Sequence, residues 1–269
     1  MIRNEGDKLS KVVVCTPKSE YFRLDNLRAH NIAQIADPKM AKEQHDKLKS
    51  LLKGFGCEVI DIPELAGHPN SVFTRDTSLC TPQGYIKLRM GLQTRRGEED
   101  WIAKTLDSIG ESQAGSIKEP GTTEGGDIFL AGSVAFVGHS QRTNANGVRQ
   151  LSRMLQAMNY EVRAITLPKS HLHLGSLMSV IGPRHVLCCR GFFPDKFLDG
   201  FEKIEVPCDT FGSANVICLG DNEVLANSAD REVIKQLERA RIKVNAIDLS
   251  EFAKGRGGAS CLILPVERK

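Results

Sequence analysis

A unit of two short apolar strands, a helix and a third strand recurs along the chain. Its clearest copies are GDIFLAGSVAFVGH from residue 126 and ANVICLGDNEVLAN from residue 214, each followed by a helix pattern and a strand. Weaker copies begin at KVVVCTP, TSLCTPQGYIKLRM and LMSVIGPRHVLCCRGF. Units of roughly 40–50 residues cannot bury their own apolar faces, so about five must pack around one centre. The repeat predicts a single domain over residues 1–269, an α/β fold forming a five-bladed α/β propeller, and favours it over a doubly wound sheet.

Finer details of the repeat give further expectations. Helices are predicted over 40–54, near 98–109, on a face formed by Val148, Leu151, Leu155 and Met158, and, as a short one, near Asp195. The Gly-Asp-Asn sequence at 220–222 predicts a tight hairpin, and the Ser228–Asp230 segment predicts a helix N-cap.

The charge balance bears on which partners the chain can bind. The 36 basic and 33 acidic residues leave a net charge of +3, without a long basic block or an aromatic-basic stripe. A nucleic-acid partner is therefore not indicated. No stretch approaches the roughly 18 apolar residues of a membrane span, and the start MIRNEGDKLSKVVV contains no apolar leader. We expect a cytoplasmic protein without a membrane partner.

The chain has eight cysteines, more than average. Five of them fall in apolar runs, where a free thiol acts as a small hydrophobic residue: Cys15, Cys80, Cys188, Cys189 and Cys218. No C-x-x-C pair is present, so neither a zinc site nor a thioredoxin motif is supported. We expect free thiols in a reducing compartment, no metal and no cofactor.

Cys261 differs from the other cysteines in its setting. Gly255, Gly257 and Gly258 precede it within GRGGASCLIL, and an apolar run follows. A cysteine that only fills a core needs no neighbouring glycines, whereas one that meets a flat ligand through a tight backbone bend does. We therefore predict a reactive thiol, whose ionisation requires a nearby cation, histidine or dipole.

The junctions between the units of such a ring converge on its axis and are candidates for a site. Four polar, glycine-containing segments fall there: NSVFTRD (70–76), TTEGGD (122–127), HLHLGS (171–176) and GGASC (257–261). Besides the thiol, they supply His171, His173 and the carboxylates of Asp76 and Glu124. Carboxylates bind guanidinium groups through parallel hydrogen bonds, so this set suits attack of a thiol on a guanidinium carbon. The residues alone leave open which histidine acts.

These motifs resemble those of the guanidine-modifying hydrolases of the pentein fold, which include dimethylarginine dimethylaminohydrolases and arginine deiminases. The elements PNSVFTRDT, RMGLQTRRGE, TEGGDIF, GHSQRTNANG, HLHLGS and GGASCLIL occur in the family's order over nearly the full length. Each is weak alone, and together they are strong. The family's five-fold propeller agrees with the repeat.

The resemblance implies roles for individual residues. It makes Cys261 the nucleophile, His173 the acid and base, and Glu124 the carboxylate that engages both histidine and guanidinium. It implies substrate-binding roles for Asp76 on the guanidinium, for Arg89 and Arg142 on a carboxylate, and for Asn70, Leu24 and Asn26. In the implied mechanism, the bound cation favours the thiolate, Cys261 attacks the guanidinium carbon and His173 protonates the departing amine. Water then opens the covalent thiouronium with His173 as base, giving citrulline from an arginine-derived substrate.

Departures from the family patterns bear on the substrate. Gly175 stands two residues after His173, where arginine deiminases usually carry an acid, and the room it leaves suits a methylated nitrogen. Asn70 and Arg75, in contrast, stand where dimethylargininases more often show acids. The chain also lacks the inserted helical domain of typical arginine deiminases. We expect dimethylargininase-type hydrolysis, with arginine deiminase or dihydrolase activity as the main alternative.

Two further alternatives stay open. An amidinotransferase would pass the same thiouronium to an amine, and a ring-shaped binding module would hold a guanidino compound without turning it over. The expected partner is a small guanidino molecule, either arginine or a methylarginine. The sequence leaves the oligomeric state open, with a homodimer as one option.

Overall fold

Five three-stranded sheets form the framework of the protein. The computed structural model describes residues 1–208 and 214–269, and the sheets follow the chain order of the repeat. The first contains β1 (Leu9–Cys15), β2 (Glu58–Ile62) and β15 (Leu264–Arg268); the second β3 (Ser78–Thr81), β4 (Gly84–Lys87) and β5 (Gln113–Ser116); the third β6 (Ile128–Ala131), β7 (Val134–His139) and β8 (Glu161–Thr166). The fourth contains β9 (Met178–Gly182), β10 (His185–Cys189) and β11 (Glu202–Val206), and the fifth β12 (Ile217–Gly220), β13 (Glu223–Asn227) and β14 (Lys243–Ile247).

All five sheets share one topology. The middle strand pairs antiparallel with one neighbour and parallel with the other in every sheet. In the first sheet the antiparallel neighbour of β1 is β15, so the last strand completes the first unit and closes the ring. The five-bladed α/β propeller predicted from the repeat is confirmed.

Helices cross from the middle to the third strand of four units. They are α1 (Pro38–Gly54), α2 (Glu98–Ser108), α3 (Ala145–Ala157) and α4 (Arg231–Arg239), and α5 (Ser250–Ala253) follows β14. The fourth unit has only a 3-10 turn at Asp195–Phe197, where a short helix is predicted. Asp230 is the N-cap residue of α4, although its side chain makes no capping hydrogen bond.

The predicted 220–222 hairpin joins β12 to β13, with Asp221 and Asn222 in the left-handed region at φ values of 50° and 62°. That conformation matches the twist of the flanking strands, and Asn and Asp tolerate it better than most residues. The hairpin prediction is confirmed.

The buried side chains form clusters that extend across units. One cluster joins the first, second and third sheets, another the third, fourth and fifth, and another the fifth and first. Each unit therefore depends on its neighbours to cover its apolar faces, as the short repeat predicts.

One cysteine prediction is wrong. Cys189 forms a disulfide bond with Cys208, and their Cα atoms are 5.5 Å apart, within the range that such a bond requires. An apolar strand around Cys189 gives no hint of a partner that lies beyond the next strand. The cysteines with free thiols include Cys15, Cys57, Cys80, Cys188 and Cys218, all buried, and the half-buried Cys261.

Among residues 1–208 and 214–269, no helix has both the length and the apolar character needed to cross a lipid bilayer.

Candidate active site

Four short 3-10 turns carry the predicted reactive residues. Each turn lies just before the strand that pairs antiparallel with the middle strand of its sheet. The turns are Thr74–Asp76 before β3, Gly125–Asp127 before β6, Leu174–Ser176 before β9 and Ala259–Leu262 before β15. Asp76 ends its turn, Glu124 and His173 are the N-cap residues of theirs, and Cys261 lies within the last. Because the turns pack against one another, residues up to 185 positions apart come together.

The imidazole of His173 lies between two carboxylates. Its Nε2 is 2.8 Å from Oε2 of Glu124, and its Nδ1 is 4.0 Å from Oδ1 of Asp76. All three side chains are buried. The Gly126 N–H donates to Oδ1 of Asp76 at 3.0 Å, so the turn that follows Glu124 is tied directly to the turn that ends in Asp76.

These surroundings determine the charges of His173 and Glu124. Burial alone would lower the pKa of His173, but the carboxylates of Asp76, Asp127 and Glu124 outweigh it and raise that pKa to about 9. Burial would likewise raise the pKa of Glu124, but Arg142, His173 and Arg95 hold it well below its usual range. At neutral pH the site therefore contains an imidazolium bound to a carboxylate, and this imidazolium can donate a proton to a leaving group.

Cys261 lines the same cleft as His173, a space of about 350 Å³ bordered also by Gly126, Leu172, Gly175, Ser176, Asn215, Arg256, Gly258 and Ser260. Burial and, to a smaller extent, Asp76 raise the pKa of the Cys261 thiol to about 11, against the Gly258 N–H and the guanidinium groups of Arg75 and Arg95. The protein alone therefore leaves the thiol neutral at pH 7. Ionisation requires an additional positive charge, which a guanidinium substrate carries.

The glycines around Cys261 make room for protein side chains. A Cβ atom on Gly257 would overlap the Phe73 ring, and one on Gly258 would overlap the Asn215 amide. Gly126 is equally constrained, because a Cβ there would lie 2.8 Å from the His173 ring. The absence of side chains at these positions thus lets the turn that carries Cys261 pack against Phe73 and Asn215, and lets the turn after Glu124 pack against His173.

The histidine segment adopts an irregular conformation rather than a strand. His173 faces the two carboxylates, whereas the His171 ring packs against Phe192 with 5.9 Å between ring centres. The structure thus distinguishes the two histidines, which the residues alone do not.

Some of the predicted substrate-binding residues border the clefts beside Cys261, and the others do not. Asn70 and Arg142 line a second cleft of about 300 Å³ that also contains Asp76, His173 and Cys261. Arg142 lies 3.2 Å from both carboxylate oxygens of Glu124. Oδ1 of Asn70 is buried and has no hydrogen-bond partner within the described part of the chain.

Arg89, Leu24 and Asn26 do not border either of these clefts. Arg89 donates to the Gly121 carbonyl at 3.1 Å and lies 3.4 Å from the exposed Glu119. Leu24 packs on the apolar cluster between the first and fifth sheets, and Asn26 accepts a hydrogen bond from the Ala29 N–H at 3.1 Å. From the same early loop, Asn31 borders the second cleft.

Arg95 is a buried cation of the site that the sequence analysis missed. It donates to Oδ2 of Asp76 at 2.6 Å, to Oε2 of Glu98 at 2.9 and 2.7 Å and to the Phe73 carbonyl at 2.9 Å. Burial raises the pKa of Glu98 to about 7, against the influence of Arg95. The QTRRGEE segment offered the signal, since an arginine and a glutamate three residues apart face each other at a helix start.

Asp127 was also missed. Its Oδ1 accepts from the Leu174 N–H at 2.9 Å and its Oδ2 from the Ser140 hydroxyl at 2.6 Å. Burial raises the pKa of Asp127 to about 6, while His173 opposes that rise. Asp127 therefore holds the backbone that immediately follows His173 and fixes where the imidazole points.

The acids and the imidazole form a cation-binding arrangement. Ligand atoms of Asp76, Glu124 and His173 lie within 4.8 Å of one another, a spacing that a metal ion would also accept. Arg95 and Arg142 already pair with the two carboxylates, however, and planar guanidinium groups match carboxylates in geometry as well as charge. The chemistry of the donor set therefore fits a guanidinium ligand at this position.

Comparisons with known proteins bear directly on this arrangement. The family model described as eukaryotic N,N dimethylarginine dimethylhydrolase matches residues 25–268. The chain belongs to the dimethylarginine dimethylaminohydrolase family. The dimethylarginine dimethylaminohydrolase of Pseudomonas aeruginosa is 30% identical over 234 residues, covering 86% of this chain and 91% of the relative. An uncharacterised protein of Aeropyrum pernix is 31% identical over 267 residues, 97% of each chain.

Solved structures agree with the family. A cysteine-to-serine mutant of the Pseudomonas aeruginosa dimethylarginine dimethylaminohydrolase in complex with citrulline superimposes with a TM-score of 0.84 at 28% identity, covering 96% of this chain and 99% of that one. The N-terminal domain of ArgZ, a cyanobacterial arginine dihydrolase, superimposes with a TM-score of 0.83 at 20% identity, covering 97% of this chain and 98% of that one. At that identity, the ArgZ likeness concerns the fold alone.

Proposed function

We propose that this member of the dimethylarginine dimethylaminohydrolase family hydrolyses Nω-methylated arginine to citrulline and an alkylamine, with Cys261 as nucleophile. One observation carries the proposal: the thiol of Cys261, the imidazole of His173 and the carboxylate of Asp76 line one cleft from separate turns of the ring, and the buried Glu124 holds that imidazole through its Nε2. A planar cation held between the two acids would lie beside both the thiol and the imidazole, the geometry that converts their reaction into an intramolecular one.

The charges in the cleft match a zwitterionic substrate. Asp76 borders the cleft and, together with Glu124 behind His173, provides negative charge for the guanidinium, and the unpartnered Oδ1 of Asn70 can accept from one of its N–H groups. The substrate carboxylate then pairs with Arg142 and Arg95, the two arginines that are buried at this cleft. We assign the second arginine role to Arg95 in place of Arg89, because Arg89 is directed to Gly121 and Glu119.

The reaction proceeds through a covalent intermediate. The bound guanidinium favours loss of the Cys261 proton to solvent, and the thiolate adds to the guanidinium carbon. The His173 imidazolium protonates the dimethylamine nitrogen of the neutral adduct, and the C–N bond breaks to leave a cationic thiouronium on Cys261. Neutral His173 then takes a proton from water, and hydroxide adds to the thiouronium carbon to give a neutral adduct. The C–S bond breaks as the hydroxyl proton passes to the departing sulfur, which releases citrulline and restores the Cys261 thiol.

The wall of the cleft beside Cys261 supports a methylated nitrogen. Gly175, Gly126 and Leu172 border it, and no acidic side chain of the described residues does so. A deiminase that must hold an unsubstituted nitrogen gains from a carboxylate at this place, worth about 1.5–3 kcal/mol as a charged hydrogen bond. A methyl group gains instead from apolar contact and from space.

A substrate panel tests the proposal. The purified wild-type protein is incubated with dimethylarginine, monomethylarginine, arginine, agmatine and citrulline, and dimethylamine, methylamine, ammonia, citrulline and ornithine are quantified. We expect citrulline with dimethylamine or methylamine, lower turnover of arginine, and no turnover of any substrate by Cys261→Ser. A thiouronium mass on Cys261 should appear when the wild-type reaction is quenched in acid.

Other products would identify the alternatives. Ammonia with citrulline from arginine alone would indicate a deiminase, and ammonia with ornithine a dihydrolase. An adduct discharged only by a second amine would indicate an amidinotransferase. Binding of dimethylarginine without any product would indicate a binding module and overturn the proposal.

A further inference from the structure

The fifth strand-entry junction contributes a polar side chain that the mechanism above does not use. Asp76, His173 and Cys261 each lie shortly before the first strand of a unit, at β3, β9 and β15. Asn215 holds the corresponding place before β12, and it is buried at the cleft that contains Cys261. The pseudo-fivefold repeat thus points to a role for the one junction to which no reactive residue is assigned.

Asn215 connects the nucleophile's turn with the histidine's turn. Its Oδ1 accepts from the Ser260 N–H at 2.8 Å, and its Nδ2 donates to the Gly175 carbonyl at 3.0 Å. Ser260 is adjacent to Cys261 in the chain, and Gly175 lies two residues after His173. The amide therefore links the backbones that position the two reacting side chains.

The remaining amide hydrogen faces the sulfur. Nδ2 of Asn215 is 3.9 Å from Sγ of Cys261, within hydrogen-bonding reach of sulfur. The orientation of the amide is fixed, because Ser260 N–H requires an acceptor and the Gly175 carbonyl requires a donor. Oδ1 must therefore face Ser260, and Nδ2 must face both Gly175 and the sulfur.

We propose that Asn215 is a further catalytic residue, which donates a hydrogen bond to the Cys261 thiolate and so favours its formation when substrate binds. The proposal rests on the function proposed above, in which that thiolate attacks the guanidinium carbon. Gly258 supports the same sulfur, with its N–H 3.4 Å from Sγ, so two donors would share the developing negative charge. Removing a hydrogen bond to a charged group costs about 10- to 100-fold in the equilibrium it supports.

Two variants separate an electrostatic role from a structural one. Asn215→Asp keeps an acceptor for Ser260 but replaces the donor with a negative charge, whereas Asn215→Ala removes both bonds. The rate of Cys261 alkylation by iodoacetamide is measured between pH 7 and 10 on the tryptic peptide GGASCLILPVER, residues 257–268, in which Cys261 is the one cysteine. Asn146→Asp, the same chemical change on α3, is the matched control and should react like the wild type.

We expect alkylation at pH 8 to fall about 10-fold in Asn215→Ala and further in Asn215→Asp, with kcat falling in the same order. If Asn215→Ala loses more activity than Asn215→Asp, or if neither changes the alkylation profile, Asn215 acts only on the fold and the proposal is overturned. Turnover of dimethylarginine by the wild type tests the proposed reaction separately from the proposed role of Asn215. A wild type without turnover whose alkylation still depends on Asn215 would refute the proposed reaction and leave the thiolate donor in place.

Discussion

The pKa values of His173 and Cys261 lie in the reverse of the order that the proposed reaction needs. The pKa of His173 is raised to about 9 and that of Cys261 to about 11, whereas attack requires a thiolate beside a protonated imidazole. The reactive combination therefore has its largest population between these two pKa values. A bound guanidinium lowers the thiol pKa and brings this combination toward neutral pH.

The pH dependence of the wild-type kinetics follows from these values. We expect kcat/KM for dimethylarginine to rise from pH 7 to a maximum near 10, because it reports the free enzyme, and kcat to reach its maximum at lower pH, because it reports the complex. Steady-state rates between pH 6 and 11 measure both. Coincident profiles for kcat and kcat/KM would contradict the role of the substrate's charge in ionising Cys261.

A single methyl group on Gly126 should inactivate the site. The added Cβ would lie 2.8 Å from the His173 ring and 3.0 Å from Oδ1 of Asp76, so the imidazole must shift from its position between Glu124 and Asp76. We expect Gly126→Ala to lower kcat at least about 100-fold, since small displacements of reacting groups have effects of this size. Gly54→Ala is the control, because the space around Gly54 is open, and it should retain full activity. Near-normal kcat in Gly126→Ala would contradict the geometry.

At the scale of elements, Arg75 links the Thr74–Asp76 turn to the Gly125–Asp127 turn. Its guanidinium donates to the Gly125 carbonyl at 3.2 Å, to the Ile128 carbonyl at 2.8 Å and to the Glu5 carboxylate at 2.8 Å. It also lies 5.2 Å from the centre of the Phe129 ring. Because both partners of the ion pair are buried, removal of either leaves an uncompensated charge inside the protein.

We expect Glu5→Ala to lower the free energy of unfolding by about 3–5 kcal/mol, as for other buried ion pairs that lose one partner. Lys42→Ala removes a partner from the exposed pair with Asp46 and should cost less than about 1 kcal/mol. Urea denaturation followed by circular dichroism compares the two. Equal losses would mean that Arg75 is not desolvated as described.

Helix α1 contains a buried histidine, His45, whose protonation at low pH should destabilise the folded protein. Burial and, to a smaller extent, Lys49 lower the pKa of His45 to about 4, against Asp61 and Asp46. Its Nδ1 is 3.1 Å from the Thr16 hydroxyl. In the unfolded chain the pKa of histidine is about 6.5, so the unfolded state takes up a proton first as the pH falls.

His45 should therefore contribute stability that is present above pH 6.5 and is lost as the pH falls toward 4. The loss amounts to about 3 kcal/mol over this range. Unfolding free energies measured from pH 7 to 4 should fall more steeply in the wild type than in His45→Leu. Parallel curves would show that His45 titrates alike in both states.

Local motifs made part of this site predictable from sequence. Cys261, His173, Glu124 and Asp76 lie in short polar segments before apolar strands, and the order of those segments identifies the family. The burial of Arg95 could not be predicted in this way, because the backbone between β4 and α2 decides which arginine of that segment faces inward, and that path depends on tertiary packing. Asn215 had no local signal at all, since a lone asparagine before a strand is ordinary.

At the scale of the whole molecule, the shared clusters make the ring cooperative. Trp101, the single tryptophan, packs against two of the clusters, which together reach the first, second, third and fifth sheets. We expect its fluorescence and the far-ultraviolet circular dichroism to report the same urea midpoint, as in two-state unfolding. Separate midpoints would show that some units unfold independently of the others.

The ring closes only when β15 pairs with β1, and Cys261 lies on the turn that leads into β15. During synthesis on the ribosome, the acids and the imidazole emerge long before the sulfur that they serve. A nascent chain that has not yet exposed residues 264–268 therefore has neither a closed ring nor a nucleophile in position. Closing the ring and placing the thiol beside the imidazole are thus one step, so the proposed activity should be absent from any chain in which β15 is unpaired.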